Sequence, residues 1–281
     1  MDKITEDEFA GFVEKMPAFP KSVYKLIRLA SDEQASIKDI VVVIESDPVM
    51  TVKILKVVNS VFYNLPHKIT SIQRALVHLG SNTIKNLALS VAAIGVLDQD
   101  NKAGFDTNLF LEHSLATAVL SKKLAEQMGV PSLQSSDYFV AGLLHDFGKI
   151  VFAEFLPEQF KQALEQSKNN DIDLHVAEIE FIGISHAQAG HMLALKWELA
   201  ENLAAAIEQH HNAGQVDLLR DCVFAANQIA KKCGFGYAGT PVVEPFSTEM
   251  DELFGKTLDE LITELGDMSV IKAEVQQFIG A

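Results

Sequence analysis

Gly142-Leu143-Leu144-His145-Asp146-Phe147-Gly148-Lys149 sets two adjacent metal-ligand residues, a histidine and an aspartate, after a strongly apolar helical stretch. A neutral imidazole and a carboxylate both suit Zn, Mn or Fe, and two metals share one bridging carboxylate where further His and Asp residues converge. The stretch therefore suggests a metal centre inside a helical protein.

Working outward, the helical reading extends over the whole chain. Apolar residues recur at three- and four-residue spacing, as in Val23, Leu26, Ile27 and Ala30, or Leu115, Val119, Leu120 and Leu124. Strand-like alternation is absent, so the expected fold class is all-α. The run Val41-Val42-Val43-Ile44 is β-prone alone, but Ile37, Ile40, Val41 and Ile44 complete a helical face, and Asp47-Pro48 restarts the chain as cap and first turn of the next helix. That helix is expected to run to about Ser60, with a loop at Asn64-Leu65-Pro66. Gly80 closes a short helix, and Ile84, Leu87, Ala88, Val91 and Ile94 carry another towards Leu97.

The polar run Asp98 to Asp106 reads as a linker. It divides the chain into an N-terminal helical part (1–100), a core holding the His-Asp pair (101–240) and an acidic helical tail (241–281). Beyond the linker, helices are expected at about 107–128, from about 136 into the His-Asp turn, and at about 157–168, 172–182, 185–196, 199–211 and 215–232. Gly234 to Pro245 reads as a loop. Whether the tail packs on the core or meets a second subunit is open at this level.

Composition narrows the function. With 281 residues, 48% of them hydrophobic, the chain can bury one large core or two modest ones. A formal charge of −15 argues against nonspecific nucleic-acid binding. Cys222 and Cys233 are the only cysteines, too few for a disulfide framework or a Cys-rich zinc module, and reduced thiols in a cytoplasm are the simplest reading. The acidic first residues lack a positive leader, and no segment reaches about 18 uninterrupted apolar residues, so neither export nor membrane spanning is expected. No Gly-rich phosphate cradle ending in Lys-Ser/Thr and no Ser-centred nucleophile elbow occurs.

The chain has nine histidines. His67, His78 and His175 sit among loop or polar neighbours and read as structural or solvated. His113 precedes the small residues Ser114, Ala116, Thr117 and Ala118, and alone reads as a core histidine more often than as a ligand. His186 opens a helical face with Gly190, Leu193 and Trp197. His210-His211 ends an apolar helix, and neighbouring helical positions differ by about 100°, so one ring can face a metal while the other faces a second metal, a phosphate or helix-end carbonyls. His191 points elsewhere. Jointly, His113, His145, Asp146, His186, His210 and His211 are persuasive as a ligand set, because bundled helices can project donors into one core.

In order and spacing the chain resembles the HDOD (HD-related output domain) family of the HD metal-dependent phosphohydrolase superfamily. The resemblance covers about residues 14 to 235. It is carried by Pro17-Ala-Phe-Pro20, Asp47-Pro48, Asn59-Ser60, Ile69-Thr-Ser-Ile72, Leu79-Gly80, His145-Asp-Phe-Gly-Lys149, Glu178 with Gly183, His186-Ala-Gln-Ala-Gly190, Trp197-Glu-Leu199 and His210-His211. It implies an N-terminal helical subdomain packed on an HD-type helical core. It also implies a divalent metal, with Fe, Mn, Zn, Ni or Mg as candidates, at His113, His145, Asp146, His186, His210 and His211. The last ligand of the HD pattern is an aspartate, and its match here is Asn227, a weaker neutral donor. The related HD-GYP cyclic di-GMP phosphodiesterases follow His-His with an acidic residue and a Gly-Tyr-Pro loop, whereas Asn212-Ala-Gly-Gln215 stands here, which disfavours that activity.

The expected function is a bacterial signal-transduction, regulatory role with a protein partner. The alternative is an active metal-dependent phosphohydrolase, a phosphodiesterase or nucleotide phosphatase acting on a phosphate-containing small ligand. In that reading Asp146 is catalytic and Lys149 contacts phosphate; Lys149 reads equally well as a solvated lysine at a helix end.

Overall fold

The computed structural model describes residues 4–17, 21–30, 36–59, 67–81, 83–84, 87–88, 91, 102–131, 134–212 and 217–279. Regular structure among them is entirely helical. The expected Asn64–Pro66 loop, residues 98–101 of the expected linker and most of the helix towards Leu97 fall outside the described residues. Of that helix, Ile84, Leu87, Ala88 and Val91 are buried, as its apolar series requires.

The N-terminal part contains α1 (Glu6–Val13), α2 (Lys21–Ala30), α3 (Ile37–Glu45), α4 (Pro48–Val58) and α5 (Ile72–Leu79). The β-prone Val41–Ile44 run is helical within α3, which starts from a Ser36/Asp39 capping box. Its buried residues are Ile40, Val43 and Ile44, whereas Ile37 is exposed at the first helical position. The buried face is thus turned slightly from the one read off the spacing. Asp47 accepts from Met50 N at 3.0 Å to cap α4, and from Ser22 Oγ at 3.1 Å to tie α2 to it. The Asn59 amide pairs with both the N–H (2.7 Å) and the carbonyl (2.8 Å) of Ile69, fixing the approach to α5. These motif residues serve the fold.

The second part comprises α6 (Thr107–Gln127), α7 (Ser135–Leu144), α8 (Gly148–Phe155), α9 (Pro157–Asn170), α10 (Leu174–Phe181), α11 (His186–Lys196), α12 (Glu201–Glu208) and α13 (Leu218–Lys232). Helix α6 packs against α7 and α13, and α11 against α8 and α12. Helix α8 is absent from the sequence reading. Its eight residues are too short for periodicity to speak, and they begin with glycine and run through Ile150, Val151 and Phe152. Burial decides it instead.

Gly148 is needed at this crossing. A Cβ there would overlap the His186 carbonyl oxygen and stand 2.7 Å from Gly190 N, so only glycine lets the start of α8 press on α11. That contact brings the His-Asp turn up to His186.

The tail forms α14 (Thr248–Phe254), α15 (Leu258–Leu265) and α16 (Met268–Ile279). Helix α15 packs on α13 and α16 on α6, with Ile271 and Val275 buried, so the tail folds back on its own core. At the other end, Lys196 Nζ donates to the carbonyls of Val13, Glu14 and Met16, and Trp197 Nε1 donates to Pro17 O at 3.2 Å. These bonds clamp α1 to α11. Buried apolar residues from Phe9 to Val275 form one continuous cluster. No helix among the described residues is long and apolar enough to cross a membrane.

Candidate metal centre

His113 lies on α6, His145-Asp146 in the turn between α7 and α8, His186 at the start of α11, and His210-His211 just beyond α12. Helix ends orient two of these rings. His145 Nδ1–H donates to Gly142 O and His210 Nδ1–H to Ile207 O, both at 2.7 Å, so each ring satisfies a terminal helix carbonyl. Glu178 Oε2 accepts from both His186 N (2.7 Å) and His186 Nδ1 (2.6 Å).

With Nδ1 donating, each neutral ring presents Nε2 as a lone pair. The three Nε2 atoms face Asp146, which stands between two groups of histidines. Asp146 Oδ2 is 3.3 Å from His145 Nε2 and 3.9 Å from His113 Nε2; Oδ1 is 3.0 Å from His186 Nε2 and 3.7 Å from His210 Nε2. His186 Nε2 is also 3.4 Å from His210 Nε2 and 3.0 Å from His211 Nε2. Ligands about 2.0 to 2.2 Å from a shared ion stand about 3 to 3.5 Å apart, and the observed separations cluster around that range.

The donor chemistry fits a divalent cation. Acceptor atoms that face each other in a dry interior repel unless a proton or metal lies between them. His145 Nε2 and Asp146 Oδ1 are buried without a hydrogen-bond partner, and His113, His145, Asp146, His186 and His210 are each no more than 1% exposed. His113 with His145 and Asp146, and His186 with His210 and His211, each gather donor atoms closely enough for one ion. A carboxylate between two such groups is the arrangement a bridging ligand requires.

Electrostatics agree with neutral rings at His113, His210 and His211. Burial pushes His113 down to about 3, and burial with neighbouring imidazoles holds His210 and His211 well below the usual histidine range. Burial would raise Asp146, but His145 and Lys149 beside it hold it well below the usual carboxylate range. Burial would lower His186, yet the Glu178 and Asp146 carboxylates together outweigh it and raise the ring.

Lys149 is buried in the first turn of α8, which excludes the solvated reading. Its Nζ donates to Asp146 Oδ2 at 2.7 Å and to Ala238 O at 2.9 Å. Asn227 Oδ1 lies 3.1 Å from His113 Nε2, so the amide occupies the nitrogen that a metal would want. His191 turns away to Ala204 O, and His67 and His78 are exposed.

Two features escaped the sequence reading. Glu178, noted there only as part of a pattern, orients His186 from a separate helix. Asp173, His175 and Glu244 gather around the far side of His211, at a cleft lined by His175, Ser185, Gln188, His211, Asn212 and Arg220. Asp173 N-caps α10, and a cap carries no sign of a second role.

Comparison with known proteins agrees with this architecture. A crystal structure of an HDOD domain protein of unknown function from Geobacter sulfurreducens superposes with a TM-score of 0.79 at 22% identity, covering 98% of this chain and 99% of that one. A protein from Marinobacter aquaeolei VT8 whose name refers to signal transduction superposes at 0.78 and 23% identity, covering 100% of this chain and 61% of that one. At these identities the likeness shows the fold. An uncharacterized protein of Treponema pallidum (strain Nichols) is 27% identical over 203 residues, covering 72% of this chain. The chain spans about two fifths of the length of the curated relatives it matches. The HDOD domain family model matches residues 16–213. That segment runs from the end of α1 past His210-His211 and takes in every donor of the cluster except Asn227, and the chain belongs to the HDOD domain family.

Proposed function

We propose that this chain is a regulatory module of bacterial signal transduction whose interior holds a divalent cation. The carrying observation is the set of donors, no more than 1% exposed, converging on Asp146 with His145 Nε2 and Asp146 Oδ1 unpartnered. His145, Asp146, His186 and His210 would hold the ion, with His113 and His211 at the two ends of the group. Such an ion supplies Lewis acidity and lowers the pKa of bound water. The chain's own residues provide the orientation: Glu178 fixes His186, helix-end carbonyls fix His145 and His210, and Lys149 balances the Asp146 charge.

Burial favours a structural or ligand-sensing metal over turnover, since a substrate would have to reach donors that solvent does not. The Asn227 contact with His113 favours it too, because a neutral amide replaces a charged ligand. The N-terminal helices supply the partner surface, where Val42, Val49, Val52 and Val77 are more than half exposed. The retained ligand set supports the second reading, a metal-dependent phosphohydrolase with Asp146 at its centre and the remaining Lys149 N–H turned to a phosphate oxygen.

The test is an assay of purified protein with cyclic dinucleotides, nucleotides and a generic phosphodiester, supplied with Mn, Fe or Mg. Metal retained without turnover is expected. Turnover abolished by both His145→Ala and Asp146→Ala would replace the regulatory reading with the hydrolase.

A further inference from the structure

His211 has two ring nitrogens and two sets of neighbours. Its Nε2 faces His186 in the interior, while Nδ1 points outward, buried and without a hydrogen-bond partner, 3.7 Å from Glu244 Oε1. The His211 side chain is only 9% exposed, so water does not readily compensate that nitrogen. Beside it stands His175, its ring 4.1 Å from the His211 ring at 33°, and Asp173, whose Oδ1 is 2.7 Å from His175 Nδ1. Donor atoms of Asp173, His175 and His211 lie within 4.8 Å of one another.

We propose that Asp173, His175, His211 and Glu244 form a second divalent-cation site at the rim, separate from the interior cluster except for the His211 ring. Charge and geometry favour it: two carboxylates converge beside one lysine, Lys231, 3.4 Å from Asp173 Oδ2, while Asp173 Oδ1 pairs with His175. Glu244 is held in place: its N–H donates to Gln228 Oε1 at 2.8 Å, and Gln228 Nε2 donates to Glu244 Oε1 at 3.4 Å. Two imidazoles and two carboxylates suit Zn, Co or Ni better than Mg or Ca. The cleft at His175 and His211 gives an ion access without unfolding.

The test is metal stoichiometry by equilibrium dialysis of chelator-stripped full chain against Zn²⁺ and Co²⁺, followed by elemental analysis. Asp173→Asn combined with His175→Gln should bind one equivalent fewer than wild type, and Asp173→Asn retains a competent helix cap. Glu244→Gln, on a loop, should weaken that same equivalent at least tenfold, which keeps the test valid should the double variant fail to fold. Asp146→Asn should lose interior metal and keep the rim equivalent. Unchanged stoichiometry and affinity in the double variant, or in Glu244→Gln if that alone folds, overturns the rim site. Loss in the rim variants with none in Asp146→Asn upholds it and overturns the interior site.

Discussion

Acidification of the metal-free protein should destabilise it steeply over a window where carboxylates hardly titrate. His113, His210 and His211 have folded-state pKa values depressed by burial, His113 to about 3. An unfolded histidine titrates near about 6.5, so between that value and the folded pKa the unfolded chain binds more protons, and stability falls as pH falls. From about pH 7 to about pH 5.5 each ring costs about 1.2 kcal/mol, and the three together about 4 kcal/mol. His186 is raised and has the opposite sign: its contribution is present below about 6.5 and is lost as pH rises through its folded pKa. It therefore adds little to the loss below about 6.5. The raised carboxylate of Glu244 also works in the opposite sense, because the folded chain takes up that proton first. A loss of about 4 kcal/mol is a large share of a typical domain stability of about 5 to 15 kcal/mol. Urea unfolding followed by far-UV circular dichroism, in chelator, measures it. A flat profile, or one that rises towards about pH 5.5, would refute the neutral buried cluster, and His113→Asn should remove about a third of the slope.

Three substitutions probe the surroundings of the cluster. Glu178→Gln keeps an acceptor for His186 Nδ1 but removes one of the two carboxylate charges that raise the ring, and should weaken metal affinity about 10- to 100-fold in a calorimetric titration with little change in circular dichroism. Asn227→Asp adds a charged ligand beside His113; it should lower the Tm of the stripped protein by repulsion with Asp146 and tighten metal binding about tenfold, or about 1.4 kcal/mol. Lys196→Met removes the donor to three carbonyls at the end of α1 and should cost about 1.5 to 3 kcal/mol in urea unfolding while leaving metal stoichiometry unchanged.

The helical class and the donor set were legible in the sequence because both rest on local pattern. Periodicity placed α6 and α13, a cap and a proline placed α4, and the residue types at His113, His145, Asp146, His186 and His210 proved to meet around one carboxylate. What was not legible depends on contacts between segments. Helix α8 exists because Gly148 admits it against α11. Lys149, open between phosphate contact and solvated lysine, is a buried partner of Asp146. His175 reads as ordinary until Asp173, Glu244 and the outer nitrogen of His211 are beside it, and Glu244 comes from a loop more than sixty residues further along the chain.

The proposed function depends on a divalent ion between the histidines that surround Asp146. Anomalous diffraction from crystals grown from stripped protein and soaked in Zn²⁺ or Mn²⁺ tests it most directly. A peak is expected at about 2.0 to 2.2 Å from Asp146 and from Nε2 of His145, His186 or His210. A difference map with no ion at Asp146 under saturating metal would contradict it.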